Sequence, residues 1–288
     1  MLLVQALING VLLGGVYAAF SAGFSLIFGV MGVLNIAHGE LLMLGAFTTF
    51  WLFQLWGLDP FLSLPFSFAL IFLLGYLLQR LFLNRVAQEP PIMSYILTFG
   101  LHLALANLAL LAWTADPRAI TTPYSGAALR WGALSIPLVQ GVTFLLGLGV
   151  VWALDLLLKK TRLGRSIRAT SQDLTMARLM GIKVHAVFAL TFALGAGITA
   201  VAGSLIAIFR PVEVSMGLSY TIIAFCVVVL GGMGHLPGAL WGGLVLGVVG
   251  SVCTALLTPG WSTAITFFIL YLVLLVRPAG ITGKGMIE

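Results

Sequence analysis

Few side chains in this 288-residue sequence have the types and spacing that catalysis or metal binding requires. The two cysteines, Cys226 and Cys253, lie in apolar stretches without the spacing of metal ligands. The four histidines are His38, His102, His185 and His235. They do not have the spacing of metal ligands, and they form no set with Ser that suits nucleophilic catalysis. The sequence therefore predicts neither an enzyme active site nor a metal centre.

Asn35, His38 and Glu40 interrupt a long apolar stretch beside several glycines, in the sequence LNIAHGE. A broken helix is tolerated at membrane depth only where it lines a cavity or is buried in protein, and the N-terminus of a half-helix favours an anionic group. These three residues are therefore candidates for a translocation path that accepts a solute carboxylate. Alternatively, they form a cytoplasmic turn, with His38 and Glu40 hydrogen-bonded to neighbouring helices.

The longest polar interruption, residues 159–185, contains the sequence GRSIRATSQDLTMARLMGIKV at 164–184. Thr170 and Asp173 have capping-box spacing, and Gly181 can take the left-handed conformation that ends a helix. The pattern predicts one surface helix of about ten residues whose apolar side chains protrude. Two functions stay open for it, docking into a groove on a cytoplasmic partner or lying on anionic lipid through its arginines.

The overall composition indicates the environment in which these segments lie. Hydrophobic residues make up 61% of the chain and charged residues 8%, and mean hydropathy is +1.15, which no soluble domain matches. We predict an all-α integral membrane protein, a bundle of about eight or nine transmembrane helices in one domain, 1–288. The predicted spans are 7–30, 41–58, 61–83, 93–113, 137–158, 186–209, 216–234, 238–257 and 262–277.

The basic residues predict the orientation of these spans. Eleven of the fourteen Lys and Arg residues fall on one side, which the positive-inside rule assigns to the cytoplasm together with the C-terminus. Arg118, Arg130 and Arg210 remain for the outside, the first two in an irregular loop, 114–136. Arg210 and Glu213 could pair with each other or with a protein that docks on the outside. No nucleic-acid-binding motif accompanies the net charge of +6.

Several longer pieces of the sequence resemble one known family. They are LNIAHGELLMLGA at 34–46, IRATSQDLTMARLMGIKV at 167–184, TFALGAGITAVAG at 191–203, VVLGGMGHLPGALWGGLVLG at 228–247 and VRPAGI at 276–281. Together they resemble the membrane permeases of branched-chain amino-acid ABC importers, the H-type inner-membrane subunit, a family that also includes urea and amide transporters.

The resemblance implies that 171–180 is a coupling helix that contacts an ATPase, and that solute crosses unchanged. It implies three kinds of partner: a second homologous permease, two cytoplasmic ATP-binding subunits that use ATP and Mg, and an external solute-binding protein. It also implies that this chain binds no cofactor and lies in a bacterial inner membrane. The alternative is an ion-gradient-driven transporter or channel. The coupling residues implied are Ser171, Asp173, Leu174, Met176, Ala177, Leu179, Met180 and Gly181.

Overall fold

The computed structural model describes residues 2–87, 89–131, 134–257, 259–277 and 280–282. Within these ranges we number eleven helices, and a π-helical turn, Gln79–Leu83, joins the two parts of α3. The helices are α1 Leu2–Met31, α2 His38–Trp56, α3 Leu64–Val86, α4 Pro91–Trp113, α5 Leu138–Lys160, α6 Arg162–Gln172, α7 Leu174–Leu179, α8 Val184–Ala207, α9 Met216–Gly231, α10 Leu236–Leu256 and α11 Pro259–Val276.

The prediction of an all-helical membrane protein is confirmed. Each of the nine predicted apolar segments is helical in the described part of the chain. Six helices, α1, α3, α4, α5, α8 and α10, are long and apolar enough to cross a bilayer by themselves. The apolar helices α9 and α11 are shorter, and α2 begins with the polar residues His38 and Glu40.

The loop predicted to be irregular contains regular structure, which the sequence reading missed. Residues Ala128–Trp131 (β1) and Leu134–Pro137 (β2) form an antiparallel hairpin that pairs Leu129 with Ile136. The side chain of Gln5 in α1 holds the hairpin, since its Oε1 accepts from the backbone N–H of Ser135 at 2.9 Å and its amide nitrogen donates to the carbonyl of Ser135.

Helices α1 and α8 form the centre of the bundle. In the most apolar windows of α1 and α8, 83% and 89% of the residues are buried, against 17% in α4. The other helices surround this pair, and their outer faces carry exposed Leu, Ile and Phe side chains. In a membrane protein such faces contact lipid, which makes the bilayer part of the environment that stabilises the fold.

Glycines set the contact between α1 and α10. Gly10 and Gly14 of α1 lie against the backbone of Gly243 and Gly247 in α10, and a Cβ added at Gly14 would lie 2.8 Å from the Cα of Leu244. Small residues let two helix backbones approach closely where lipid supplies no hydrophobic driving force. The glycine pairs are therefore packing positions.

Some sequence predictions fall on residues outside the described ranges. Of the C-terminal sequence GITGKG, residues 280–285, only Gly280–Thr282 are described. The side chain of Arg130 and the basic residue Lys284 lie outside the described part as well.

Candidate functional site

The break between α1 and α2 is a buried polar junction. Gly32 ends α1 with a φ of 64°, a conformation that glycine adopts without strain. The chain then turns back into the bundle, because His38 reaches Phe20, which lies eleven residues before the end of α1, about 16 Å along the helix axis. The junction therefore lies inside the bundle, not at a turn on its surface.

His38 and Asn35 hold this junction together. The imidazole Nε2 of His38 lies 2.9 Å from the carbonyl oxygen of Phe20 and 3.0 Å from the hydroxyl of Thr199 in α8. A carbonyl only accepts, so Nε2 carries the proton. The side-chain oxygen of Asn35 accepts from the N–H of Ala37 at 3.1 Å. Both side chains are 2% exposed or less.

Glu40 and His102 form a buried pair that the sequence did not reveal. The carboxylate Oε1 of Glu40 lies 2.9 Å from the Nδ1 of His102 in α4, and Glu40 is 1% exposed. The same carboxylate packs against Gly217 in the first turn of α9, where a side chain would collide with it. His102 is thus the partner of Glu40.

The bundle contains a large cavity of about 960 Å³ at the end where α1 begins. Asn35, His38 and Glu40 do not line it, so their role in a translocation path stays a prediction. The walls come from α1, α5, α9, α10 and α11. Its polar lining includes Gln5, Asn9, Tyr17, Gln140, Thr143, Arg210, Ser219, Ser251 and Thr254, and its apolar lining includes Leu12, Leu13, Ile222, Ile223, Leu246 and Phe267.

Arg210 brings a positive charge to this cavity, from the connection between α8 and α9. Its guanidinium interacts with the hydroxyl groups of Tyr17 and Tyr220. Ion pairs in the described part of the chain join Glu40 to His102 and Asp155 to Lys159. Arg210 and Glu213 thus form no ion pair with each other in the described part of the chain, and contact with a docked protein stays a prediction.

Gln5 and Asn9 are further polar residues of the cavity that the sequence reading missed. They are four residues apart on α1, and the amide nitrogen of Gln5 donates to the side-chain oxygen of Asn9 at 3.0 Å. Two amides on one face of an otherwise apolar helix are a signal that could have been found, because residues at this spacing are neighbours on the helix surface.

The polar segment at the other end of the bundle forms two helices, not one. Helix α6 ends at Gln172, and Asp173 starts α7 by accepting hydrogen bonds from the N–H groups of Thr175 and Met176 at 2.8 and 2.9 Å. The capping box predicted from Thr170 and Asp173 is wrong, since the Thr170 hydroxyl bonds to the carbonyl of Ser166. Gly181 does take the left-handed conformation, with φ 80°.

Helix α7 presents a protruding apolar surface. Met176, Leu179 and Met180 are 60%, 75% and 82% exposed, and Leu174 is 39% exposed. Ala177 alone of this helix is buried, at 3%, and anchors α7 to the bundle. Ser171 of α6 lines a smaller cavity of about 200 Å³ with the C-terminal end of α1 and with α5. Helix α1 thus extends from the large cavity to the neighbourhood of α6.

Comparison with known proteins gives the family. Residues 6–274 match the family model described as "Branched-chain amino acid transport system / permease component". The chain belongs to this family. The permease is accordingly a multi-pass membrane subunit of an ABC importer and not an enzyme, and membership implies an ATPase and a binding protein as partners.

Curated relatives resemble the permease, and two of them do so over nearly its full length. It is 33% identical to the high-affinity branched-chain amino acid transport system permease protein LivH of Salmonella typhimurium, over 99% of this chain and 96% of that protein. It is 32% identical to BraD of Pseudomonas aeruginosa, over 99% and 97%. The autoinducer 2 import system permease protein LsrC of Escherichia coli is 31% identical over 64% of this chain and 62% of that protein. No solved structure matches significantly.

Proposed function

We propose that the chain is the single-domain permease through which branched-chain amino acids or related small solutes cross a bacterial inner membrane. The observation that carries this is the match over residues 6–274, together with full-length relatives named for branched-chain amino acid transport. The 960 Å³ cavity, with mixed polar and apolar walls, supports it, since ligand sites of about 300–1,000 Å³ suit small molecules.

In this proposal α7 and the C-terminus face the cytoplasm and the large cavity faces outside. The clustering of Lys and Arg around 159–183 supports that orientation. A solute-binding protein delivers solute to the outer end, a second homologous permease completes the path, and two cytoplasmic ATP-binding subunits drive it. ATP and Mg are used by those subunits and not by this chain.

The coupling surface is α7 with its flanking residues. Met and Leu side chains adapt to a groove that moves, and here they stand out from the bundle on a helix capped by Asp173. Motion of α7 reaches the cavity through α6, which packs on α1. The proposed coupling residues are Ser171, Asp173, Leu174, Met176, Ala177, Leu179, Met180 and Gly181.

An ion-gradient-driven transporter would need acidic groups open to the solute path. Glu40 is enclosed and paired with His102, and Asp155 lies 2.8 Å from Lys159. Neither lines the large cavity. We therefore favour the ATP-driven importer.

A crosslink tests the coupling surface. With Cys226 and Cys253 replaced by Ala, a cysteine at Met176 should crosslink to the co-expressed ATP-binding subunit. Ser215→Cys, exposed at the opposite end of the bundle, is the matched control and should give no crosslink. A crosslink from both positions, or from Ser215→Cys alone, would contradict the proposed orientation.

Uptake tests the function. In vesicles that hold the assembled importer, labelled leucine should enter with ATP and not with a proton gradient alone. Met176→Asp should abolish uptake while the protein still inserts, whereas Ser166→Asp, on the exposed face of α6, should retain it. Uptake driven by the gradient without ATP would reject the importer proposal.

A further inference from the structure

We propose that Arg210 is the carboxylate anchor of the large cavity, and that the permease therefore accepts solutes with a carboxylate in preference to uncharged amides. This inference rests on the proposed function and narrows its substrate class. Among the described lining residues, Arg210 is the one with a formal charge, and Asp, Glu, Lys and His are absent from that lining.

The position of Arg210 is fixed by the structure around it. The backbone N–H of Val212, two residues on, donates to the carbonyl of Arg118 at 2.7 Å, and the N–H of Arg118 donates to the carbonyl of Val212 at 2.9 Å. Arg118 itself stacks over the ring of Trp51 at 5.0 Å. The connection between α8 and α9 is thus tied to the loop at residues 114–136, and it holds the guanidinium at the cavity.

The two tyrosines orient the guanidinium without neutralising it. Tyr17 and Tyr220 are 9% and 7% exposed, and the T-shaped contacts of both rings with Phe20 hold them. Both hydroxyls are neutral, so interaction with them leaves N–H donors of the arginine fork available. The remaining donors suit a carboxylate, which arginine binds through two parallel hydrogen bonds.

The rest of the cavity suits the remainder of a small aliphatic acid. Its apolar wall includes Leu12, Leu13 and Ile223, which can contact a branched side chain. Neutral oxygens of Asn9, Gln140 and Ser219 are the acceptors available to an ammonium group. Because no acid lines the described part of the cavity, an ammonium group finds no ion pair there, whereas a carboxylate does.

Glu213 is the carboxylate nearest in sequence to Arg210 and provides a control. It does not line the cavity. Removing its charge leaves the positive charge of Arg210 in place. Glu213→Gln should therefore keep carboxylate binding, whereas Arg210→Gln should lose it. Both residues lie on the connection between α8 and α9.

The test measures binding to the purified chain in lipid nanodiscs by saturation-transfer NMR, which detects weak ligands. The probes are L-leucine and the matched pair 4-methylpentanoate and 4-methylpentanamide, which differ in the charge of one group. We expect leucine and the acid to bind and the amide to bind about tenfold more weakly or not at all. Equal binding of the acid and the amide to the unaltered chain would overturn the proposal.

Variants then assign the effect to the residue. Arg210→Gln should weaken the acid about tenfold or more and leave the amide unchanged, Arg210→Lys should be intermediate, and Glu213→Gln should match the unaltered chain. Unchanged acid binding in a folded Arg210→Gln variant would reject the anchor. ATP-driven leucine uptake by the assembled importer separates the two proposals. Uptake that is unchanged in Arg210→Gln rejects the anchor alone. Absence of uptake by the unaltered importer rejects the importer proposal.

Discussion

The carboxylate of Glu40 and the imidazole of His102 meet 2.9 Å apart between α2 and α4, although 62 residues separate them in the sequence. Helix α4 has few other contacts with the bundle, and the hydroxyl of its Thr98 donates to the carbonyl of Leu34 at 3.0 Å. Two polar contacts with the junction between α1 and α2 thus hold an otherwise lipid-facing helix.

Breaking the Glu40–His102 pair should therefore loosen α4. Glu40→Ala leaves the buried Nδ1 of His102 without its partner, which should lower the free energy of unfolding by about 1–3 kcal/mol. Thermal unfolding in nanodiscs measures this, and a double-mutant cycle with His102→Ala should show coupling of about 0.5–3 kcal/mol. Asn107→Ala, on the exposed side of α4, is the control. Strictly additive effects of Glu40→Ala and His102→Ala would show that the pair does not stabilise the fold.

The cap of α7 gives a second prediction. Asp173→Ala removes the acceptor for the N–H groups of Thr175 and Met176, which should cost the helix about 0.5–2 kcal/mol. Hydrogen exchange of residues 174–180 should accelerate and ATP-driven uptake should fall. Asp173→Asn retains a capping oxygen and should restore both. If exchange rises without any loss of uptake, α7 does not need its helical form for coupling.

The contact between α1 and α10 gives a third prediction. Gly14→Ala places a Cβ 2.8 Å from the Cα of Leu244, so the two backbones must move apart, at a cost of about 1–3 kcal/mol. Gly149→Ala in α5 is the matched control because nothing lies within 4 Å of the added Cβ. Melting temperatures of the two variants in the same lipid check this, and equal values would contradict the close approach.

The loop at residues 114–136 gives a prediction on pH. The hydroxyl of Tyr124 donates to Asp59 at 2.8 Å, and burial, together with that carboxylate, raises the pKa of Tyr124 to about 12. Because the pKa is raised in the folded state, the contact stabilises the loop fully at pH below the ordinary pKa near 10. That stabilisation is lost as pH rises through 12. Ultraviolet titration of tyrosinate should lose a step near pH 12 in Tyr124→Phe, whereas loss of a step near pH 10 would contradict the contact.

Apolar length was enough to predict the helices, because it is a local pattern in the sequence. The partner of Glu40 could not be predicted, since any of several helices could have supplied it and only the fold selects α4. The single helix predicted at 171–180 became two because Asp173 serves as an N-cap itself. The cavity escaped notice because Gln5, Gln140 and Arg210 are far apart in sequence and meet only when the bundle closes.

The long-range partners of His38 and Glu40 also bear on how the chain is made. At about 5–20 residues per second, His102 is synthesised about 3–12 s after Glu40, and Thr199, which lies 161 residues after His38, about 8–32 s after it. Until then Glu40 lacks its histidine partner in the bilayer, and the imidazole of His38 has only the carbonyl of Phe20. The insertion machinery or water must satisfy them during that interval, so the order of synthesis makes the beginning of the chain the slowest part to reach its final contacts.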